Sequence, residues 1–312
     1  MDRRQFLKNI GVWGAGLAVS GSALHTVPEI VAEEQAQAMP ILSVAEGTDY
    51  HVLVSTVLAP LGGIEAFVEP GYRVVVKPNI GWDRNPEQAA NTHPEVVKAL
   101  VQLALEAGAS QVQVFDRPCN EQRRCYANSG IQAAVESLND GRATCTFIDD
   151  RKFVPVAIEQ GRSLKDFTFY KDALEADCYI NVPIAKHHSG AGLTLSLKNA
   201  MGVIGGNRGE IHVALGQRIA DLNTVITPHL NVIDATRVLL NNGPSGGNLD
   251  DVKVMNTLIA SSDPIAADAY ATITLFGLQP QDIESTQAGY ELGLGEMDLS
   301  KVQIVYAETD TA

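Results

Sequence analysis

Apolar runs alternate with amphipathic segments along most of the chain. Short runs rich in valine and isoleucine predict buried strands, and stretches with apolar residues at every third or fourth position predict helices. Strands are predicted at residues 73–81, 111–116, 143–149, 177–182, 230–236, 257–263 and 301–307. Helices are predicted at residues 92–108, 122–139, 214–227 and 264–277, and a β-hairpin or an excursion from the sheet at 153–170. This alternation indicates an α/β fold, in which helices cover both faces of a mostly parallel sheet, built as one domain or as two closely packed lobes.

Residues 1–38 have a different pattern. Asp2–Lys8, with the sequence DRRQFLK, matches the twin-arginine export signal, and Ala36-Gln37-Ala38 offers a small-x-small cleavage site. We therefore predict a twin-arginine signal peptide at residues 1–38, an exported domain at 39–312 and a periplasmic location; the alternative is an ordinary N-terminal helix. The apolar stretch after the arginines is shorter than the roughly 20 residues of a membrane span. Membrane association is therefore predicted only if the signal stays uncleaved.

The charge of the chain limits its partners. The formal net charge is −14, from 23 basic and 37 acidic side chains. Residues 1–38 contain three basic and four acidic side chains, so the exported domain would carry 20 − 33 = −13. A strongly acidic domain argues against a surface for nucleic acid or for anionic lipid.

The four cysteines, Cys119, Cys125, Cys145 and Cys178, do not have the spacing of an iron–sulfur or zinc-ribbon motif. No intrinsic iron–sulfur cluster is therefore predicted. Cys119 and Cys125 are close enough in sequence to form a small disulfide loop in an oxidising compartment. Cys145 and Cys178 lie in apolar runs and are expected in the core.

Polar residues end or follow five of the predicted strands. They are Lys77 and Asn79, Asp116 and Arg117, Lys186 with His187 and His188, Asp234, and Asp263. In open parallel sheets, ligands bind in the crevice outside the carboxyl ends of the strands. The sequence therefore predicts a binding site at that edge, although Asp263 also precedes Pro264 as a helix N-cap would.

A set of motifs resembles a known family. It comprises VKPN at 76–79, the helix start THPEVVKALV at 92–101, the long segment at 180–206, DLN at 221–223, NVIDA at 231–235, NGPSGG at 242–247 and SSDPIAADAYA at 261–271. In this order they resemble the family catalogued as domain of unknown function 362, over about residues 50–306. The resemblance implies no reaction. Some relatives carry a ferredoxin-like module, whose cysteine pattern is absent here.

A more distant resemblance concerns the segment KHHSGAGLTLSLKNAMGVIGG at 186–206. Its histidine, its run of small residues and its lysine are similar to the site of the nickel-pincer lactate racemase family. That resemblance implies that Lys198 matches the lysine bearing the pincer nucleotide, His188 an acid/base and His212 a metal ligand. The sequence departs from the family pattern on both sides of Lys198, at Ser196-Leu197 and at residues 199–202.

The residues themselves predict a cationic pocket, because glycines let the backbone approach a ligand and lysines attract carboxylate or phosphate. The predicted catalytic residues are Lys198, His188 and Lys77. The predicted cofactor- or substrate-binding residues are Lys186, Asn79, Asn199, Gly202 and Asp116, and the predicted metal ligands are His212 and Asp221.

Three functions fit this pattern. The first is an exported enzyme that uses a metal or a metal-containing cofactor on a small anionic substrate; export in the folded state weakly supports a bound cofactor. The second is a non-catalytic periplasmic binding protein for an anion or a metal. The third is an accessory subunit of an exported redox complex, docking a partner protein. The sequence does not decide between enzyme and binding protein.

Overall fold

The computed structural model describes residues 39–309, which belong to one compact unit, residues 39–312. The predicted signal peptide at residues 1–38 lies outside the described residues. Within residues 39–309, no helix is long and apolar enough to cross a membrane.

A large sheet forms the centre of the domain. Its main strands are β1 (Ile41–Glu46), β2 (Arg73–Pro78), β3 (Gln111–Val114), β4 (Ala143–Cys145), β7 (Cys178–Val182), β10 (Leu230–Leu239), β11 (Val252–Ser261) and β12 (Gln303–Ala307), in the order β12-β1-β11-β10-β7-β2-β3-β4. Strands β10, β7, β2, β3 and β4 are parallel neighbours, whereas β11 runs antiparallel to both β1 and β10. Strands β5 (Phe153–Ala157) and β6 (Asp166–Tyr170) form the predicted hairpin.

Two further strands extend the sheet beyond the end of β7. Pro183 directly follows β7 and cannot donate a ladder hydrogen bond, so the strand is interrupted there. The chain resumes as β8 (Ile184–His188), which pairs with β10 and, antiparallel, with β9 (Gly192–Thr194). This step places Lys186 and His188 beyond the carboxyl end of β7.

Helices cover both faces of the sheet. They are α1 (Tyr50–Leu58), α2 (Pro94–Glu106), α3 (Gln122–Asn128), α4 (Ile131–Glu136), α5 (Lys171–Leu174), α6 (Ser196–Asn199), α7 (Leu215–Asn223), α8 (Pro264–Phe276) and α9 (Glu284–Glu291). Alternate residues of β2 belong to different cores: Val74 and Val76 pack with α1 and α2, and Val75 packs with α6 and α7. Burial of alternate side chains on opposite faces fixes the strand register.

The predicted α/β fold with a mostly parallel sheet is confirmed. The predicted helix at 122–139 is wrong in its continuity, because Gly130 adopts φ +73° and separates α3 from α4. The sequence analysis also did not predict β1, α1 and β8.

Candidate functional site

A cavity of about 410 Å³ lies where β2, β3 and β7 end and where β8 and β9 continue. Nine of the ten predicted site residues line it: Lys77, Asn79, Asp116, Lys186, His188, Lys198, Asn199, Gly202 and His212. These residues span positions 77–212 of the sequence, and the sheet edge brings them together, as the rule for parallel strands predicts. Their chemical roles remain predictions.

Asp221, predicted as a metal ligand, lies away from the cavity. Both carboxylate oxygens of Asp221 accept hydrogen bonds from backbone N–H groups, those of Arg162, Ser163 and Leu164, at 2.7–2.9 Å. The side chain is fully buried and does not line the cavity. Asp221 therefore fixes a turn, and its oxygens are not available to a ligand there.

Two other aspartates predicted at the sheet edge also lie away from the cavity. Asp234 is buried and accepts hydrogen bonds from the N–H of His93 and from Thr236. Asp263 lies at the opposite edge of the sheet, because β11 runs antiparallel to β10. There it caps α8 by accepting the N–H groups of Ile265 and Ala266.

Lys77 and Asp116 form a buried ion pair at the base of the cavity. Lys77 Nζ lies 2.9 Å from Asp116 Oδ1, and the two side chains are 1% and 2% exposed. Nζ also donates to the main-chain oxygen of Asn199 at 2.7 Å and to its Oδ1 at 2.8 Å. Burial lowers the pKa of Lys77, and the Asp116 carboxylate opposes this shift. Lys77 is therefore fully engaged by the protein, which favours a structural role over the predicted catalytic one.

Asn199 connects this pair to the rest of the site. Its amide nitrogen donates to the Lys77 carbonyl and to Asn181 Oδ1, and its Oδ1 also accepts from Asn79. Asn181 in turn donates to the carbonyl of Ser196. Since these buried amides satisfy one another, the position of α6 is fixed relative to β2 and β7.

Lys186 carries a buried charge without a carboxylate partner. Its Nζ donates to the Ala90 carbonyl at 2.5 Å and to Asn79 Oδ1 at 3.1 Å, and the residue is 1% exposed. Burial lowers the pKa of Lys186 to about 7. Neutral oxygen atoms hold this amine in place without cancelling its charge.

Lys198 projects from the short helix α6. Asp268 of α8 anchors the start of that helix, because its carboxylate accepts the N–H groups of Ser196 and Leu197 at 2.7 and 3.1 Å. Within residues 39–309, the hydrogen-bond partner of Lys198 Nζ is the Met201 sulfur at 3.0 Å. Burial, together with the nearby charges of Arg208 and Lys77, lowers the pKa of Lys198 to about 8.

His188 is held as a neutral hydrogen-bond donor. Its Nδ1 accepts the N–H groups of Gly190 and Ala191 at 3.0 and 3.1 Å, so we assign the ring proton to Nε2. Burial and then the charges of Lys198 and Lys186 lower the pKa of His188 to about 3. His188 is thus better suited to donate to an oxyanion than to act as the predicted acid/base. His187 points the other way, where its Nδ1 accepts the N–H of Gly243.

The structure adds residues that the site prediction did not include. Arg208, Cys119 and Trp82 also line the cavity, as does Arg117, which was predicted at the sheet edge but given no role. Arg208 donates to the carbonyls of Arg117 and Pro118, each at 2.6 Å, so its position depends on contacts made across about 90 residues of sequence. The glycines on either side of the Asn207-Arg208 dipeptide were the one local sign of a ligand-facing turn.

The donor set does not fit a bare metal ion. Among residues 39–309, no group of three or more His, Cys, Asp or Glu side chains is placed to hold one. His212 lines the cavity and is exposed, but His188 Nδ1 is occupied by backbone donors and Asp221 is elsewhere. Cys119 and Cys125, which are close enough in sequence for a disulfide loop, are both free thiols.

The lowered pKa of Lys186 predicts how the stability of the fold depends on pH. The pKa of Lys186 in the folded chain, about 7, is below its ordinary value of 10.5, so between these values the unfolded chain binds more protons. The free energy of unfolding contributed by this residue should therefore rise as the pH increases from about 7 to about 10. Denaturant unfolding of the wild type and of Lys186→Met should show a difference that grows in favour of the wild type over this interval.

Lys253 is exposed, so Lys253→Met is the matched control. It should leave the pH dependence of the free energy of unfolding unchanged. A difference that shrinks with rising pH would instead mean that the fold stabilises the Lys186 cation.

Comparison with known proteins gives a family match and one curated relative. The model of the family described as Domain of unknown function (DUF362) matches residues 74–272, the part that contains every cavity residue from Lys77 to Pro244. A thylakoid-associated protein of Synechocystis is 29% identical over 254 residues, which cover 77% of this chain and 74% of that protein.

Two solved structures are similar at 12% identity. The lactate racemase apoprotein of Thermoanaerobacterium thermosaccharolyticum gives a TM-score of 0.40 over 73% of this chain, and a protein of Thermotoga maritima gives 0.42 over 79%. The matches span 55% and 60% of those two chains, respectively.

Proposed function

The chain belongs to the DUF362 family, and we propose that its cavity binds a small carboxylate or phosphate anion and that the protein is an enzyme acting on it. One observation supports this above all others. Five cationic side chains line the cavity (Lys77, Lys186, Lys198, Arg117 and Arg208), whereas Asp116 is the one acidic side chain that lines it in the described part of the chain. Since Asp116 is paired with Lys77, no acidic side chain of the lining remains to neutralise the other four cationic groups.

Each proposed role follows from the charge, the hydrogen bond or the proton that the side chain can offer to a ligand. Lys186 and Arg208 both line the cavity and provide positive charge, and each is held in place by neutral carbonyl oxygens. The Nε2–H of His188 would stabilise negative charge that develops on a substrate oxygen. Lys198, with a pKa of about 8, can both accept and release a proton near neutral pH, which makes it the proposed general acid/base.

The proposal does not include a bound metal ion, because the described side chains do not supply a set of ligands for one. We further propose that residues 39–312 act in the periplasm after export through the twin-arginine signal. A non-catalytic binding protein would need the same charges, so turnover must be measured separately from binding.

Anion binding should be visible through Trp82. The chain contains two tryptophans, so a Trp13→Phe background leaves Trp82, at the cavity wall, as the sole reporter. Inorganic phosphate and pyruvate should each cause a saturable change in fluorescence. Lys186→Met should weaken binding about tenfold or more, because one charge-assisted contact is worth about 1.5–3 kcal/mol.

Lys253→Met, which removes a lysine outside the cavity, should bind both anions like the parent. Equal affinities for the parent and Lys186→Met would contradict the proposed site. Deuterium uptake from D₂O into bound small carboxylates, followed by NMR and lost in Lys198→Met, would distinguish an enzyme from a binding protein.

A further inference from the structure

The three lysines of the cavity differ in what their amines contact. Lys77 Nζ has a carboxylate at 2.9 Å and two oxygen acceptors on Asn199. Lys186 Nζ donates to two oxygens and is 1% exposed. Lys198 Nζ, in contrast, has a thioether sulfur as its hydrogen-bond partner in residues 39–309, and a thioether is a weak acceptor. Of the three amines, that of Lys198 has the weakest hydrogen-bond acceptor, and Lys198 is the one of the three residues that is not fully buried.

We propose that Lys198 Nζ forms an imine with the carbonyl carbon of a small oxo acid whose carboxylate is bound by the neighbouring cations. The inference rests on the proposed function, since the same cavity must first bind the carboxylate. It narrows the substrate class from small anions to those that carry a carbonyl group.

The covalent step balances without any additional reagent. The neutral amine attacks the carbonyl carbon and forms a carbon–nitrogen bond, and the carbonyl oxygen takes up a proton to give a carbinolamine. The proton that the lysine ammonium released on becoming the amine then adds to this hydroxyl, which leaves as water, so that a lysine ammonium and a carbonyl compound give an iminium ion and one water. Nothing is oxidised or reduced.

The surroundings of Lys198 favour each stage. Burial and nearby cations leave a substantial fraction of its amine neutral near pH 8, and the neutral form is the nucleophile. Asp268 and the amide cluster around Asn199 fix α6, so the amine is presented from a rigid support. The Nε2–H of His188 is the donor left to polarise the carbonyl oxygen, since Nδ1 is occupied by the N–H groups of Gly190 and Ala191.

Reductive trapping tests the inference directly. The full chain is incubated with pyruvate and sodium cyanoborohydride, and the product is analysed by intact mass and peptide mapping. We expect one adduct per chain, located on Lys198, with at least tenfold less on any other lysine. Inorganic phosphate should protect Lys198 by competing for the carboxylate position.

Lys198→Arg is the decisive variant, because arginine keeps the positive charge but cannot form the imine. It should still bind phosphate in the Trp82 fluorescence assay while losing the adduct. Anion binding without any adduct on Lys198, or adducts spread evenly over surface lysines, would overturn this inference and leave the proposed function standing. Absence of both binding and trapping would overturn the two together.

Discussion

Asp116→Asn should lower the free energy of unfolding by about 3–5 kcal/mol, because it leaves the buried Lys77 ammonium without its counter-charge. Asparagine keeps the shape of the side chain and an acceptor for the N–H of Ile80, which donates to Asp116 Oδ2 at 2.6 Å. The loss is therefore electrostatic rather than steric. In thermal unfolding it should appear as a fall in Tm on the order of 10 °C.

Two comparisons isolate this effect. Glu175→Gln removes one member of the exposed Lys171–Glu175 pair and should cost at most about 1 kcal/mol. Adding Lys77→Met to Asp116→Asn removes the uncompensated charge, and most of the lost stability should return. If the double variant were as unstable as Asp116→Asn alone, charge pairing would not be the cause.

Gly202→Ala should have the second largest effect. A Cβ on Gly202 would overlap both Asp116 Oδ1 and Lys77 Nζ, and neither of these buried atoms can withdraw without breaking the ion pair. Overpacking at a rigid site typically costs about 1–3 kcal/mol, and disruption of the pair adds to that. We expect a loss of at least about 3 kcal/mol in denaturant unfolding, with weakened phosphate binding in the Trp82 assay.

Gly141→Ala is the matched control, because a Cβ there meets no atom within 4 Å. It should change stability little. A well-folded Gly202→Ala protein with parental stability would mean that the Lys77–Asp116 contact can be displaced without cost.

The location of the site could be predicted from sequence because it depends on a topological rule. Lys77 lies near the end of β2, Asn79 follows it and Asp116 follows β3, so parallel pairing alone places them at one edge. The segment around Lys198 belonged to the same edge because it follows β7 and β8. Neither inference needed side-chain coordinates.

Strand direction was the first source of error. Residues 240–251 join β10 to β11 without an α-helix, and a parallel connection normally needs a helical crossover. That absence was visible in the glycine-rich sequence and would have predicted the antiparallel β11, and with it the displacement of Asp263 from the site.

Local hydrogen bonding was the second source of error in the prediction of the site. Nothing in the sequence says that the N–H groups of residues 162–164 would occupy the oxygens of Asp221, or that those of Gly190 and Ala191 would occupy His188 Nδ1. Such contacts depend on the backbone conformation of the finished fold. They decide whether a side chain is available to a ligand, so composition and spacing can suggest a site but not its working groups.

The cluster of cations held by carbonyl oxygens sits within a chain whose formal charge is −14. An approaching anion first meets repulsion from the molecule as a whole, which salt screens over about 10 Å at 0.1 M, and meets attraction only at the mouth of the cavity. The association rate consequently depends on the negative charge of the whole chain, whereas retention of the bound anion depends on the positive charges that line the cavity. Added salt should therefore raise the association rate constant of the anion and also raise its dissociation rate constant.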